Sequence, residues 1–252
     1  MRIIARLDIK GPNLIKGIRF EGLRVIGDPN KYALKYYNQG ADELIFLDCV
    51  ASLYGRNNLV DIIKKASNDV FIPITVGGGI RSIKDAETLF LNGADKIAIN
   101  TAALKNPKLI NELAKNFGSQ AVVISIQAKH LSERKWTAYI EMGREKTDKD
   151  VIEWLDEAID RGAGEVLITS VDHEGTRNGF DLNLYEEANK HSKVPFIFSG
   201  GMKSANDLIE LAKYSECNAI AAASILHYDE FTIEDIKKVG VANNLKVRKK
   251  VV

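Results

Sequence analysis

Two glycine clusters stand where an anion could be held. Gly77-Gly78-Gly79 follows the apolar run 74–76, Gly200-Gly201 follows the run 196–198, and each precedes a helical pattern. Glycine at such a place lets backbone N–H groups come close to a phosphate, and the helix start beyond it adds partial positive charge. Asn100-Thr101 and Ala223-Ser224 follow two further apolar runs and supply polar groups beside each cluster. For either cluster alone, a tight turn that glycine permits is an equal account. Two clusters at equivalent places in a repeat point instead to a ligand with a phosphate at each end, or to two phosphorylated ligands.

The elements that must position these groups follow a regular rhythm. Candidate strands lie at 3–9, 43–47, 74–76, 96–99, 121–126, 165–169, 196–198 and 219–222. They are nearly continuous apolar runs, as strands buried on both faces of a parallel sheet require. Helical patterns at 30–38, 57–67, 83–91, 107–117, 148–161, 181–191 and 204–214 separate them. Several end in glycine, as in Gln39-Gly40-Ala41, Asn92-Gly93-Ala94 and Arg161-Gly162-Ala163, where a left-handed cap is suited.

An internal repeat divides the chain in two. Ala41-Asp42-Glu43-Leu44-Ile45-Phe46-Leu47-Asp48 aligns with Ala163-Gly164-Glu165-Val166-Leu167-Ile168-Thr169-Ser170, and Pro73–Gly79 aligns with the segment 195–201. The first strand, ending Asp8-Ile9-Lys10, matches the fifth, ending Gln127-Ala128-Lys129. Eight βα units in about 250 residues predict an α/β protein folded as a single (β/α)8 TIM barrel built from two related half-barrels. That domain would span residues 1–252. An open doubly wound sheet is the alternative.

Composition narrows the function. The 252 residues carry 35 Lys+Arg and 34 Asp+Glu, a formal net charge of +1. Such a balance argues against a general nucleic-acid binder. No apolar run approaches the roughly 18–20 residues needed to cross a bilayer, and the rapidly charged start does not read as a signal peptide. Two cysteines, Cys49 and Cys217, make no disulfide framework, so a cytoplasmic location without membrane attachment is expected.

The sequence resembles the HisF family, the cyclase subunit of imidazole glycerol phosphate synthase, over essentially its whole length. The resemblance rests on Arg2-Ile3-Ile4-Ala5, Leu7-Asp8, Lys16-Gly17, Gly27-Asp28-Pro29, Phe46-Leu47-Asp48, Thr75–Ile80, Ile99-Asn100-Thr101-Ala102-Ala103 and Ser199-Gly200-Gly201. It implies a barrel that docks a HisH-like glutaminase as a heterodimer and receives its ammonia along the barrel axis. It also implies a bis-phosphorylated aminoimidazole carboxamide ribotide at the far mouth, and no metal or organic cofactor. Phosphate and substrate contacts then fall on Lys16, Asp48, Gly78, Gly79, Asn100 and Thr101 in the first half. In the second half they fall on Thr169, Glu174, Gly200, Gly201, Ala223 and Ser224. Arg2, Glu43, Lys96 and Glu165 match the family's charged gate at the N-terminal mouth, and their two cations and two anions balance, as charges in a confined site must. Asp95 matches a position at the glutaminase interface.

Three departures touch the proton chemistry. The family pairs two aspartates on its first and fifth strands; Asp8 is the first, but Gln127 stands in place of the second. An amide has no titratable proton near neutral pH, and losing one general acid or base removes about 10²–10⁴ of rate. Arg6 replaces a small cysteine, two residues before Asp8 on the same strand face, where it either engages Asp8 or an anionic ligand or extends toward solvent. Glu174 replaces an aspartate and is expected to crowd the mouth. The segment 17–27 is expected to act as a lid, Trp136 to pack within a small hairpin strand at 135–140, and His173 to be a loop residue.

These features predict a divergent HisF paralogue whose ammonia serves amidation or amidination of sugars in surface-polysaccharide biosynthesis, with a separate sugar-amidating ligase as a partner. An authentic cyclase of histidine biosynthesis, with Asp8 and Glu174 doing the acid–base work, is the alternative. A non-catalytic ammonia conduit that only activates the glutaminase is a third.

Overall fold

Strands form where the apolar runs lie, in the computed structural model, which describes residues 1–51, 59–214 and 217–248. In chain order they are β1 (Arg2–Lys10), the hairpin β2 (Asn13–Ile18) and β3 (Glu21–Gly27), β4 (Glu43–Asp48), β5 (Ile74–Gly77) and β6 (Lys96–Ile99). There follow β7 (Val122–Ser132), the hairpin β8 (Lys135–Ile140) and β9 (Glu145–Asp150), β10 (Glu165–Ser170), β11 (Phe196–Ser199) and β12 (Ala219–Ala222). Eight of them pair in parallel in the order β1-β4-β5-β6-β7-β10-β11-β12, and β12 pairs with β1. The ring is closed, as predicted, and the open-sheet alternative falls away.

Strand alternation produces two separate apolar regions. Along β1, Ile3, Ala5, Leu7 and Ile9 join the large core beneath the helices. Ile4 points the other way and meets Ile45, Leu47, Ala98, Val123, Leu167, Ile197, Ala219 and Ala221 inside the barrel. The inner set begins just above Arg2 and ends just below Arg6. An apolar bore therefore runs between charged groups at both mouths.

The helices depart from expectation in ways that local chemistry explains. The helix predicted at 148–161 runs Val151–Asp160, because Glu145–Asp150 extends a hairpin and Asp150 caps the helix by accepting from Ile152 N at 2.8 Å. The helix predicted at 57–67 is seen as Val60–Asp69, and residues 57 and 58 lie outside the described part. The helix predicted at 204–214 shortens to Asp207–Ala212. A further helix, Ile233–Ala242, was not anticipated, although Thr232 and Asp235 form a capping box at its start. The segment expected to be a lid is the hairpin β2–β3, and the tip residue Phe20 is buried.

The repeat is visible in steric detail. Gly78 has φ +102°, and a Cβ there would stand 2.6 Å from the carbonyl oxygen of Asp48. Gly200 has φ +103°, and its Cβ would stand 2.7 Å from the carbonyl oxygen of Ser170, the repeat partner of Asp48. The turn requirement at both glycines is therefore real, whatever they also bind. We expect Gly78→Ala to lower the unfolding free energy by about 1–3 kcal/mol through this overlap, read as a lower urea midpoint.

Candidate active site

At the N-terminal mouth four charged side chains close into a ring. Arg2 donates to Glu43 Oε2 at 2.8 Å and also to Glu165. Lys96 Nζ donates to both oxygens of Glu43 at 3.1 Å and to Glu165 Oε2 at 2.7 Å. Each cation thus touches both anions, and Thr75 Oγ1 adds a 2.6 Å hydrogen bond to Glu43. Burial alone would lower the Arg2 pKa, but Glu165 and Glu43 outweigh it and raise it. An open cavity of about 450 Å³ lies outside the ring, lined in part by Arg2, Lys96 and Glu165. Asp95 is exposed beside Lys96, and its carboxylate accepts from Ile74 N at 2.8 Å.

At the C-terminal mouth a second group of charges is sealed from solvent. Arg6, Asp8, Lys16 and Glu174 are 1–3% exposed. Asp8 accepts from Arg6 Nε at 2.9 Å and from Lys16 Nζ at 3.3 Å. Lys16 also donates to Glu174, whose other oxygen accepts from Phe20 N at 3.2 Å. Arg6 does not extend to solvent. It reaches past β12 to Thr169 Oγ1 at 3.0 Å and Ser199 Oγ at 3.4 Å, with its guanidinium 5.2 Å from the centre of the Phe20 ring. It therefore caps the upper end of the bore and ties the β2–β3 hairpin over Asp8.

This setting decides the protonation of Asp8. Burial would raise its pKa, but Arg6 and then Lys16 outweigh burial and hold the carboxyl below its usual range. The two cations are raised in turn, against burial, by Asp8 and Glu174. Nearby, burial pushes the Cys49 thiol well up and drives His227 down to about 3. His227 is thus a neutral ring, with Nδ1 2.6 Å from Tyr36 Oη.

Gln127 lies on β7, four strands around the barrel from β1 and hence opposite Asp8. Its amide is engaged with the chain: Oε1 accepts from Gly143 N at 2.7 Å and Nε2 donates to Met142 Sδ at 3.5 Å. That turn carries three successive positive φ values, 52° at Glu141, 57° at Met142 and 75° at Gly143. Neither Glu141 nor Met142 is marked by the sequence pattern.

The two glycine clusters sit in unlike surroundings. Gly78, Gly79, Asn100, Thr101 and Asp48 line an open cavity of about 410 Å³ together with Gln127 and Glu141. Gly200, Gly201, Ala223 and Ser224 line a cavity of about 20 Å³ beside Glu174 and Arg177. Thr169 is buried against Arg6 and lines neither cavity. Trp136 is buried, donating to Asp181 at 3.2 Å, and His173 lies in the loop after β10 with Nδ1 2.8 Å from Gly179 O. Among the described residues no helix is long and apolar enough to cross a membrane.

Over residues 2–232 the sequence matches the family described as histidine biosynthesis protein. Its relatives include the imidazole glycerol phosphate synthase subunit HisF of Legionella pneumophila, 60% identical over 202 residues, which cover 80% of this chain and 95% of the relative. The subunit of the same name from Bacillus cereus strain AH187 is 47% identical over 247 residues, 98% of each chain.

The depressed Asp8 pKa carries a sign. Its contribution to stability is complete above the usual aspartate range and is lost as pH falls through the lower folded value. Asp8→Asn leaves the buried Arg6 without a carboxylate partner and Lys16 with Glu174 alone, so it should cost about 3–5 kcal/mol at neutral pH. The gap from the unsubstituted protein should narrow in acid, as urea denaturation across pH would show.

Proposed function

Since the chain belongs to the HisF family of histidine biosynthesis proteins, we propose that it is an ammonia-accepting synthase subunit of the cyclase (lyase) type, paired with a HisH-like glutaminase. Ammonia enters at the ring of Arg2, Glu43, Lys96 and Glu165, with Asp95 on the docking face. It travels along the apolar bore to a phosphorylated ligand at the C-terminal mouth. Movement of one ring side chain opens a path, since each cation retains a second anion while the other contact is broken.

One observation carries the finer reading: the inlet is complete while the proton-transfer pair is not. Asp8 is held as a carboxylate by Arg6 and Lys16, so it is available as a base and poor as an acid. The facing amide of Gln127 has no proton to exchange and is committed to the turn at 142 and 143. Glu174 does not take its place, because it is tied to Lys16 and Phe20 N on the Asp8 side of the mouth, not across the barrel from Asp8. We therefore place the chain on a divergent branch, where ammonia goes to sugar amidation or amidination in surface-polysaccharide biosynthesis through a separate ligase. The relatives' shared name favours the second reading, an authentic cyclase of histidine biosynthesis.

The test compares turnover of ammonia and the bis-phosphorylated ribotide by the unsubstituted protein with that of Arg6→Cys/Gln127→Asp. Restoring the missing acid and freeing Asp8 should raise the rate by about 10²–10⁴. Equal, substantial turnover in both proteins supports the authentic cyclase and overturns the divergent branch. Asp8→Asn separates both enzyme readings from a passive conduit, which would deliver ammonia undiminished.

A further inference from the structure

Across the barrel from Asp8 a carboxyl group stands beside Gln127 without belonging to a barrel strand. Glu141 follows β8, the hairpin strand that pairs with β7 and sets Tyr139 opposite Gln127. It lines the cavity of about 410 Å³ together with Gln127 and the first glycine cluster. Glu141 is 6% exposed. Its Oε1 accepts from Lys105 Nζ at 3.4 Å, whereas Oε2 is buried and has no hydrogen-bond partner among the described residues. Asp48 shares the cavity but ends β4, the strand beside β1, so it does not stand across from Asp8.

The position of Glu141 is fixed from three directions. Its backbone N–H donates to Thr101 Oγ1 at 3.2 Å. Two residues earlier, Tyr139 O accepts from Asn100 Nδ2 at 3.1 Å. Two residues later, Gly143 N donates to Gln127 Oε1 at 2.7 Å, and positive φ values run through 141, 142 and 143. The amide that stands in place of an aspartate thus holds the turn that carries a glutamate. A buried carboxylate oxygen without a donor is costly to keep. Here one oxygen is tethered and the other is left for a proton or a ligand group.

A phosphate in the same cavity is compatible with this arrangement. Gly78, Gly79, Thr101, Arg81 and Lys105 all line it. The Lys105 side chain is 59% exposed and its contact with Glu141 is long, so a phosphate at the glycine cluster can draw it away. Both Glu141 oxygens then face the rest of the ligand.

The chemistry asks for such a group. When ammonia adds to a carbonyl carbon, the nitrogen lone pair forms the C–N bond and the C=O π pair moves onto oxygen. One proton must then pass from nitrogen to that oxygen. A carboxylate can take the N–H proton and return it to the oxygen, ending as it began. Gln127 has no such capacity.

We propose that Glu141 is a catalytic residue of this chain, supplying from the hairpin turn the proton-transferring carboxyl group that Gln127 lacks. The inference rests on the reading of the C-terminal mouth as an ammonia-accepting synthase site and deepens it. Asp8 and Glu141 then form the facing pair, with Gln127 as a positioning residue for the second.

The experiment measures turnover of ammonia and the bis-phosphorylated ribotide, and ribotide binding by calorimetry, for the unsubstituted protein, Glu141→Gln and Glu141→Asp. Glutamine keeps the shape without the titratable proton; aspartate keeps the proton on a shorter arm. Glu141→Gln should lower kcat by about 10²-fold, the lower end for loss of one general acid or base, without a matching change in ribotide Kd. Glu141→Asp should retain more turnover than Glu141→Gln. Unchanged turnover in Glu141→Gln, or less turnover in Glu141→Asp than in Glu141→Gln, overturns the inference and leaves the ligand site standing. A fall in kcat matched by an equal loss of ribotide affinity makes Glu141 a binding group and overturns it too. So does an unsubstituted protein that binds the ribotide without any turnover. Failure of all three proteins to bind the ribotide overturns the ligand-site reading and this inference with it.

Discussion

The contact on which the C-terminal half of the molecule depends is the pairing of Asp8 with Arg6 and Lys16 in a place closed to water. A carboxylate and two cations can occupy such a site only because Glu174 supplies the fourth charge. The consequence is geometric as well as electrostatic. Arg6 draws Thr169 and Ser199 toward β1, Lys16 and Glu174 pin the β2–β3 hairpin, and Phe20 is stacked on the guanidinium. One buried network thus fixes the protonation of Asp8, the roof of the bore and the closed position of the hairpin.

The same principle acts at the other mouth with a different outcome. Arg2 and Lys96 share Glu43 and Glu165, but their side chains are 22% and 19% exposed, so they are partly solvated while the carboxylates are not. Rearranging a partly solvated pair costs less than rearranging a sealed one. The ring is therefore suited to opening, and the tetrad to holding still. Between them lie the apolar side chains inside the barrel.

The two half-barrels show how a repeat can keep its backbone and change its chemistry. Gly78 and Gly200 obey the same steric rule against equivalent carbonyls. Beyond those turns the halves diverge: Glu141 and Asn100 put unpartnered acceptors beside one cluster, whereas Glu174 beside the other is consumed by Lys16 and Phe20. Symmetry in the strands does not extend to the loops, because loop residues are not bound by the packing of the core.

Much of this was legible in the sequence, since barrel closure follows from local patterns. Apolar runs, their spacing and the repeat gave the strands, and strand parity put Arg2, Arg6 and Asp8 on one face. The absence of an acid at Gln127 needed only the alignment of first and fifth strands. Tertiary structure alone decided where long side chains ended. Arg6 was free on paper to seek solvent, and only the closed barrel brought Thr169 and Ser199 within its reach. Glu141 gave no periodic signal, because its position comes from a left-handed turn that Gln127 holds from the neighbouring strand of the hairpin. Sequence determines which groups a strand presents and on which face; contact among groups far apart in the chain is settled by the fold that gathers them.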